Sequence, residues 1–279
     1  MTLRVALASV VTRSFIEEFR LLKFSCELLH RQQFRWYVRC DEAAAFVLSK
    51  DPDVVVARFS PPQMHRVSPG DADFIQVALQ KAEALADAWQ AGTSGGVAFL
   101  DADLIFTSAL LRELERFETD LILTPNHHAP GIEVLEPFHG YFNSGFVLTR
   151  TPKFHEMWKA RLRSQSWHFT DQVCLNEICA NFSVTCLDSS VNVGFWHSLK
   201  ADTFRFETIP AECSLLHVHC LQTVAARRGW RDRMFALHCL KFLKASQILE
   251  HRLLLEEILL RDESGWFRSS LGLDVDACE

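Results

Sequence analysis

The chain has 279 residues, of which 35 are acidic and 29 basic, and its formal net charge at pH 7 is −6. This acidic balance argues against a general nucleic-acid-binding protein, which needs positive charge to replace the counterions of phosphate. With 48% hydrophobic and 23% charged residues, the composition excludes a disordered or fibrous chain and predicts a globular protein of one or two domains.

The first part of the sequence alternates apolar runs with amphipathic segments. Strands are predicted at 5–11, 36–38, 54–57 and 97–100, with helices at 16–30, 43–48 and 73–90. This alternation is typical of an α/β fold with a mostly parallel sheet and helices on its faces. The run at 5–11 superficially resembles a signal peptide, but no small-x-small cleavage site follows it, which favours a strand.

The second part continues this pattern and then becomes helical. Helices are predicted at 108–117, 153–164 and 170–181, and strands at 121–124, 184–187 and 214–219. Residues 125–137 contain three prolines and no periodicity, which predicts a long loop of the kind that is often functional. From Arg227 onward the sequence is helical in character. We therefore predict a domain of residues 1–222 and a C-terminal helical extension of residues 223–279.

The start of this extension is basic. Residues 227–244 carry six Lys or Arg and one Asp. A basic amphipathic helix can contact a membrane surface or an acidic partner protein. The alternative is a solvated helix that packs back onto the domain.

The nine cysteines form no CxxC pair. This usage favours reduced, buried thiols over a disulfide framework or a zinc ribbon. The sequence also has no apolar stretch of the ~20 residues that a membrane helix needs. Together these features predict a cytoplasmic protein.

The most informative motif is Asp101-Ala102-Asp103, which directly follows the apolar strand predicted at 97–100. Open α/β sheets bind ligands beyond the carboxyl ends of their strands, and residues i and i+2 of an extended chain point to the same side. Two carboxylates so close repel each other, and Mg²⁺ or Mn²⁺ would remove this conflict and could hold a diphosphate. The alternative is that one aspartate caps the next helix and the other is a solvated turn residue.

A second pair of candidate ligands, His217 and His219, stands near the end of the strand predicted at 214–219. The same alternation turns both imidazoles to one side, as a pair of metal ligands requires. The alternative is that both are polar residues whose hydrogen bonds are satisfied within the fold. A third histidine, His197, lies in a loop-like stretch beside Trp196.

Four short blocks occur in an order that resembles nucleotide-diphospho-sugar transferases of the GT-A fold, most closely the retaining, glycogenin-like and galactosyltransferase-like families. They are Phe99-Leu-Asp-Ala-Asp-Leu-Ile-Phe106, Tyr141-Phe-Asn-Ser-Gly-Phe-Val147, Thr170-Asp-Gln-Val-Cys-Leu-Asn176 and His217. The resemblance covers the organisation of residues 1–220 and implies a GT-A-like, Rossmann-type sheet. It also implies a metal-dependent enzyme that moves a sugar, with retention, from a nucleoside-diphosphate sugar, above all a UDP-sugar, to an unknown acceptor: a glycan, a lipid or a protein.

The resemblance assigns the metal and catalytic residues. Asp101 and Asp103 match the ligands of Mn²⁺ or Mg²⁺, and Asp101 also matches a contact to the ribose. His217 matches the histidine that completes the metal site, with His219 as the alternative. The implied catalytic residues lie near the donor sugar: Asn143, Asp171 and Gln172. Asp171, Gln172 or Asn143 would stabilise the oxocarbenium-like centre on the face opposite the leaving diphosphate, and the loop 126–138 is the candidate for excluding water and contacting the acceptor.

Two further positions resemble donor-binding residues of these families, and a third departs from their pattern. Asp41, which ends the second strand, resembles the acid that recognises the base, and Lys81 lies where a donor-side cation is common. Related sequences follow the late histidine with a Gly-rich turn and a Lys-Pro-Trp that grips the diphosphate. This sequence instead has Cys220 to Arg228, so that Arg227 or Arg228 is the candidate for the lysine.

Three other functions compete with this interpretation. A haloacid-dehalogenase-type phosphatase also has an Asp-x-Asp after an apolar strand, but that strand is usually the first, whereas here three predicted strands precede it. A metal hydrolase built on His217 and His219 lacks further ligands at suitable spacing. The third is a non-catalytic domain that binds nucleotide sugars or scaffolds a partner. The sequence contains no GxxxxGK[ST], GxGxxG or HExxH motif.

Overall fold

Ten strands and nine α-helices make up the part of the chain that the computed structural model describes, residues 5–60, 72–93, 95–126, 140–164, 170–194, 208–221 and 230–273. The strands are β1 (Ala6–Val11), β2 (Trp36–Cys40), β3 (Val54–Arg58), β4 (Val97–Leu100), β5 (Leu104–Phe106), β6 (Leu121–Pro125), β7 (Phe142–Thr149), β8 (Val184–Cys186), β9 (Asn192–Gly194) and β10 (Leu215–His217). The helices are α1 (Ile16–His30), α2 (Glu42–Leu48), α3 (Ala72–Gln90), α4 (Leu110–Leu114), α5 (Lys153–Arg163), α6 (Thr170–Cys179), α7 (Trp230–Ala245), α8 (Leu249–Arg261) and α9 (Trp266–Ser270).

Seven of these strands form the central sheet, in the order β3-β2-β1-β4-β7-β6-β8. The strands β1 to β4 pair in parallel, as do β6 and β8, whereas β7 is antiparallel to its neighbours β4 and β6. The predicted α/β fold with a mostly parallel sheet is confirmed, and β7 is the exception to a fully parallel arrangement. The predicted helix at 108–117 is observed only as the short α4.

Helices cover both faces of this sheet because its strands are apolar on both sides. Alternate residues of β1 point to opposite faces, so that Ala6 and Ala8 share a buried cluster with Ala82 and Leu85 of α3, while Leu7 belongs to the cluster of α1 and α2. The core residues of β4 are fully buried. β4 is also the middle strand of the seven, so that the aspartates at its carboxyl end lie at the middle of one edge of the sheet.

A second, three-stranded sheet has the order β5-β10-β9, with β10 antiparallel to β5 and parallel to β9. The sequence does not predict β5 or β9, because three residues are too few to show a period of two. Leu104 of β5 pairs with His217 of β10, and Val218 N–H donates to the carbonyl of Asp103 over 2.9 Å. This small sheet thus connects the late histidine to the turn that carries the aspartates.

The C-terminal helices pack back onto this small sheet and onto α1. The buried residues that share this core come from all three parts: Leu21, Ile105, Val193, Leu216, Phe235, Leu240, Leu254 and Ile258. Polar contacts join the same elements, since the His251 ring bonds the carbonyl of Thr107 over 2.7 Å and Arg261 pairs with Glu17 over 2.6 Å. The predicted boundary between residues 222 and 223 lies outside the described residues.

The structure bears on two predicted features, the lack of a membrane helix and the presence of reduced thiols. Within the described ranges, no helix is both long enough and apolar enough to cross a bilayer. The eight cysteines of those ranges are free thiols, and seven of them are buried. Cys278 lies outside the described residues.

Candidate active site

Asp101 and Asp103 lie in the turn that joins β4 to β5. Leu104 N–H donates to the carbonyl of Asp101 over 3.2 Å, which closes the turn, and Asp101 N–H donates to the carbonyl of Gly145 over 2.8 Å. The ligand atoms of Asp101, Asp103 and His217 all lie within 4.8 Å of one another. This turn, and not the alternation of an extended chain, brings the two carboxylates together.

Both late histidines contact Asp103, one at each carboxylate oxygen. Nε2 of His217 lies 3.2 Å from Oδ1 of Asp103 and 4.0 Å from Oδ2 of Asp101. Nε2 of His219 lies 3.2 Å from Oδ2 of Asp103. Burial acts to lower the pKa of His217, but the charges of Asp103 and Asp101 outweigh it and raise that pKa above its ordinary value.

Gly145 on β7 lies directly against the side chains of Asp101 and His217. A Cβ at this position would lie 2.5 Å from Cε1 of His217, 2.9 Å from Oδ1 of Asn143 and 2.9 Å from Oδ2 of Asp101. No L-residue with a side chain fits there without moving these groups. The glycine therefore allows the β7 backbone to approach the cluster closely.

The ammonium of Lys81 on α3 bridges two aspartates from different elements. Its Nζ lies 3.0 Å from Oδ1 of Asp101 and 2.9 Å from Oδ2 of Asp171, and it donates to Oγ of Ser144 over 3.3 Å. The hydroxyl of Ser144 in turn donates to Oδ2 of Asp171 over 2.7 Å. Lys81 therefore connects the Asp-x-Asp turn to the start of α6.

The charges in this cluster shift one another's pKa values. Burial raises the pKa of Asp101; Lys81 opposes this rise and Asp103 adds to it. Burial also acts to raise the pKa of Asp171, but Lys81 and hydrogen bonds from Ser144 and Gln172 hold it below its ordinary value. The pKa of Lys81 lies above its ordinary value because Asp101 and Asp171 outweigh its burial. Lys81 thus pairs with Asp101 and Asp171, whereas Asp103 contacts the two histidines.

Asn143 and Gln172 belong to a group of amide side chains beside this cluster. Oδ1 of Asn143 accepts from Gly145 N–H over 2.8 Å, and its Nδ2 donates to Oδ1 of Asn126 over 3.0 Å. Nδ2 of Asn126 donates to Oε1 of Gln172. Asn192 joins the group through a 3.3 Å bond to Oδ1 of Asn143. The sequence analysis assigns no site role to Asn192, because the almost complete burial of this polar residue is seen only in the structure.

Of the remaining predicted site residues, the structure describes Asp41 and Asn126. Asp41 caps α2, since it accepts from Ala44 N–H over 2.8 Å and from Arg13 N–H over 2.7 Å. This position follows the carboxyl end of β2, as predicted. Arg227, Arg228 and His197 lie outside the described residues, as does the predicted covering loop apart from its first residue, Asn126.

A mostly parallel sheet with an Asp-x-Asp turn, a late histidine and a lysine beside one strand end is the arrangement expected of a nucleotide-sugar-dependent transferase of the GT-A type. The family model of nucleotide-diphospho-sugar transferases matches residues 37–228, more than half of the chain. The chain belongs to this family and is a glycosyltransferase, which sets aside the phosphatase and metal-hydrolase alternatives. No curated protein sequence matches it.

Solved glycosyltransferase structures share the fold at low sequence identity. GlyE of Streptococcus pneumoniae TIGR4 has a TM-score of 0.57 at 17% identity over 97% of this chain and 64% of its own. The galactosyltransferase LgtC, solved with donor and acceptor sugar analogues, has a TM-score of 0.52 at 15% identity over 90% of this chain and 100% of its own. The bifunctional glycosyltransferase WbbM has a TM-score of 0.54 at 13% identity over 93% of this chain. This chain spans about half of WbbM, at 52% of its length.

Proposed function

We propose that this glycosyltransferase takes its sugar from a UDP-sugar, requires Mn²⁺ or Mg²⁺, and retains the configuration of the transferred sugar. The observation that carries the proposal is the convergence of Asp101, Asp103 and His217 within 4.8 Å. Family membership supports a nucleotide-sugar donor and an acceptor. The acidic net charge gives no support to a nucleic-acid partner.

The donor set fits a divalent cation. Carboxylate oxygens with one imidazole are suitable ligands for Mn²⁺, and Gly145 leaves the space beside them without a side chain. Asp101, Asp103 and His217 would hold the ion. His219 would orient Asp103 through its contact with the second carboxylate oxygen.

The bound cation would supply positive charge that neutralises the diphosphate as it leaves. Lys81 adds a fixed positive charge beside Asp101 and keeps Asp171 ionised next to the same cluster. Asp171, Gln172 and Asn143 would lie beside the donor sugar, and one of them would stabilise the oxocarbenium-like centre from the face opposite the diphosphate. Asp41 would contact the base, and Arg227 the diphosphate.

We further propose that residues 1–222 are the catalytic domain and residues 223–279 an extension of it. The shared core of α7 and α8 with the small sheet supports an extension that is packed on the domain. A peripheral membrane or protein contact through the basic segment 227–244 remains part of the proposal. Free, buried thiols support a cytoplasmic location.

The first prediction concerns the metal. UDP should raise the melting temperature only when Mn²⁺ or Mg²⁺ is present, and hydrolysis of UDP-sugars should show the same dependence. Asp103→Asn should lower turnover by about 100-fold or more, since it removes a ligand worth several kcal/mol of charge stabilisation. The charge-matched control is Glu115→Gln at an exposed position, which should behave like the unchanged protein.

Full turnover by the Asp103→Asn enzyme, or in excess EDTA, would contradict the metal assignment. A screen of nucleotide sugars by thermal shift and hydrolysis identifies the donor. NMR analysis of the anomeric configuration of the product then tests retention. Binding of UDP with the metal but no turnover of any donor would instead favour the non-catalytic alternative.

A further inference from the structure

Four amide side chains beside the metal group and the hydroxyl of Thr124 form one continuous chain of hydrogen bonds. In order, the members of this amide chain are Thr124, Asn192, Asn143, Asn126 and Gln172. The four members other than Gln172 are at least nine-tenths buried. Because an amide has a donor end and an acceptor end, the direction of each bond determines which atom the next residue presents.

The backbone N–H of Gly145 determines the orientation of the Asn143 amide. A backbone N–H can only donate, so the atom of Asn143 that lies 2.8 Å from Gly145 N is its oxygen, Oδ1. The other atom of that amide, Nδ2, must donate to the atom of Asn126 that lies 3.0 Å away. That atom of Asn126 is therefore its oxygen.

A second, independent anchor gives the same orientation of Asn126. Its other terminal atom lies 3.1 Å from the carbonyl oxygen of Phe142 and 3.3 Å from that of Gly140. Carbonyl oxygens only accept, so this atom is Nδ2. The atom of Gln172 that faces Nδ2 of Asn126 must then be an acceptor, Oε1.

We infer that the amide chain fixes Gln172 so that it offers its NH₂ group, and not its carbonyl oxygen, to the bound donor, with Asn126 and Asn192 as positioning residues. Within the part of the chain that the structure describes, Nε2 of Gln172 has no hydrogen-bond partner. An amide oxygen at the reaction centre could attack it or stabilise positive charge, whereas an NH₂ group can only donate, for example to a sugar hydroxyl. This inference rests on the proposed function for its ligand, although the orientation itself does not.

The orientation can be tested without any donor. In protein labelled with ¹⁵N-glutamine, the NH₂ signals of Gln172 are those that Gln172→Glu removes. In Asn126→Asp, a carboxylate faces Gln172 and cannot donate to Oε1, so the amide should turn and bond the carboxylate through Nε2. We expect the NH₂ signals of Gln172 to move downfield and exchange more slowly with water in that variant. Signals that stay unchanged, or that already exchange slowly in the unchanged protein, would overturn the inference.

Turnover supplies the second measurement, with the donor found in the screen described above. Gln172→Glu keeps an acceptor for Asn126 but loses the NH₂ donor, so kcat should fall by about 100-fold while the melting temperature shift by UDP and Mg²⁺ is kept. Asn126→Asp should lower kcat by at least about 10-fold with KM for the donor changed by less than about 3-fold. Near-normal kcat in Gln172→Glu would show that the enzyme does not use an NH₂ donor at this position and would overturn the inference.

Matched controls are available on the surface. Asn181→Asp and Gln247→Glu make the same chemical changes at exposed positions and should leave the Gln172 signals and turnover unaltered. If UDP with Mg²⁺ gives no thermal shift in the unchanged protein, the proposed function fails. The NMR measurement on the free protein still decides the orientation of Gln172.

Discussion

Asp103 contacts both late histidines, and these contacts distinguish the two. His217 has its ligand atom within 4.8 Å of both aspartates, whereas His219 contacts the second oxygen of Asp103. A contact with one oxygen of a carboxylate fixes the plane of the group and so orients the other oxygen toward a metal ion. This geometry supports His217 as the third ligand and His219 as the residue that orients Asp103.

A single methyl group at Gly145 should disrupt the metal group without unfolding the protein. Gly145→Ala would place Cβ 2.5 Å from Cε1 of His217 and 2.9 Å from Oδ2 of Asp101, so both ligands must move. We expect the affinity for Mn²⁺, measured by electron paramagnetic resonance, to fall by about 10-fold or more. The control Gly92→Ala has nothing within 4 Å of its added Cβ and costs only the backbone strain of φ +84°. Equal Mn²⁺ affinity in the two variants would contradict this role of Gly145.

Sequence and structure agree best on the residues whose chemistry stands out locally. Asp101 and Asp103 interrupt an apolar segment, and the order of the motifs points to His217. Asn126 and Asn192 could not be assigned from the sequence, because an amide gains its role only from partners on other strands and helices. The residues next to Asn126 and Asn192 in the sequence do not indicate these hydrogen bonds.

At the level of helices, α1 and α4 are joined through one buried histidine. Nδ1 of His30 bonds the carbonyl of Cys26 over 2.7 Å, and Leu111 N–H at the start of α4 donates to Nε2 over 3.0 Å. One ring nitrogen thus donates and the other accepts, which only the neutral imidazole can do. Burial accordingly lowers the pKa of His30 to about 4.

This histidine should make folding stability depend on pH. The pKa of His30 is about 4 in the folded state and 6.5 as its ordinary value, so the unfolded chain binds more protons between these limits. The stabilisation is fully present above pH 6.5 and is lost as the pH falls towards 4, by roughly 3 kcal/mol in total. Urea unfolding at several pH values measures this loss, and in His30→Gln the slope between pH 6.5 and 4 should be smaller. An unchanged slope would mean that other groups cause it.

Six of the seven strands of the central sheet and β10 of the small sheet were predicted from the sequence, whereas β7, β5 and β9 were not. The strand β4 is a continuous apolar run, and α1 has apolar residues at a helical period, so the sequence predicts both elements. The strands β5 and β9 have three residues each and exist because β10 pairs with both. Their formation is a tertiary effect, and so is the antiparallel direction of β7.

For the molecule as a whole, the C-terminal helices share a core with the sheet that carries His217. Ile258 of α8 is fully buried in this core, whereas Leu260, two residues on, is 72% exposed. Ile258→Ala should therefore lower the free energy of unfolding by about 2–5 kcal/mol, and Leu260→Ala by less than about 0.5 kcal/mol. Calorimetry should show a single transition in both variants. A separate early transition in Ile258→Ala would indicate that the extension unfolds independently of the domain.

The pairing of Leu104 with His217 also has a kinetic consequence. These residues are far apart along the chain, so their contact must overcome a large loop-closure entropy, and such contacts are slow to form. The complete set of metal ligands therefore exists only after the chain has largely folded. A bound ion would stabilise the folded arrangement of these ligands and not the unfolded chain, and we expect it to slow unfolding.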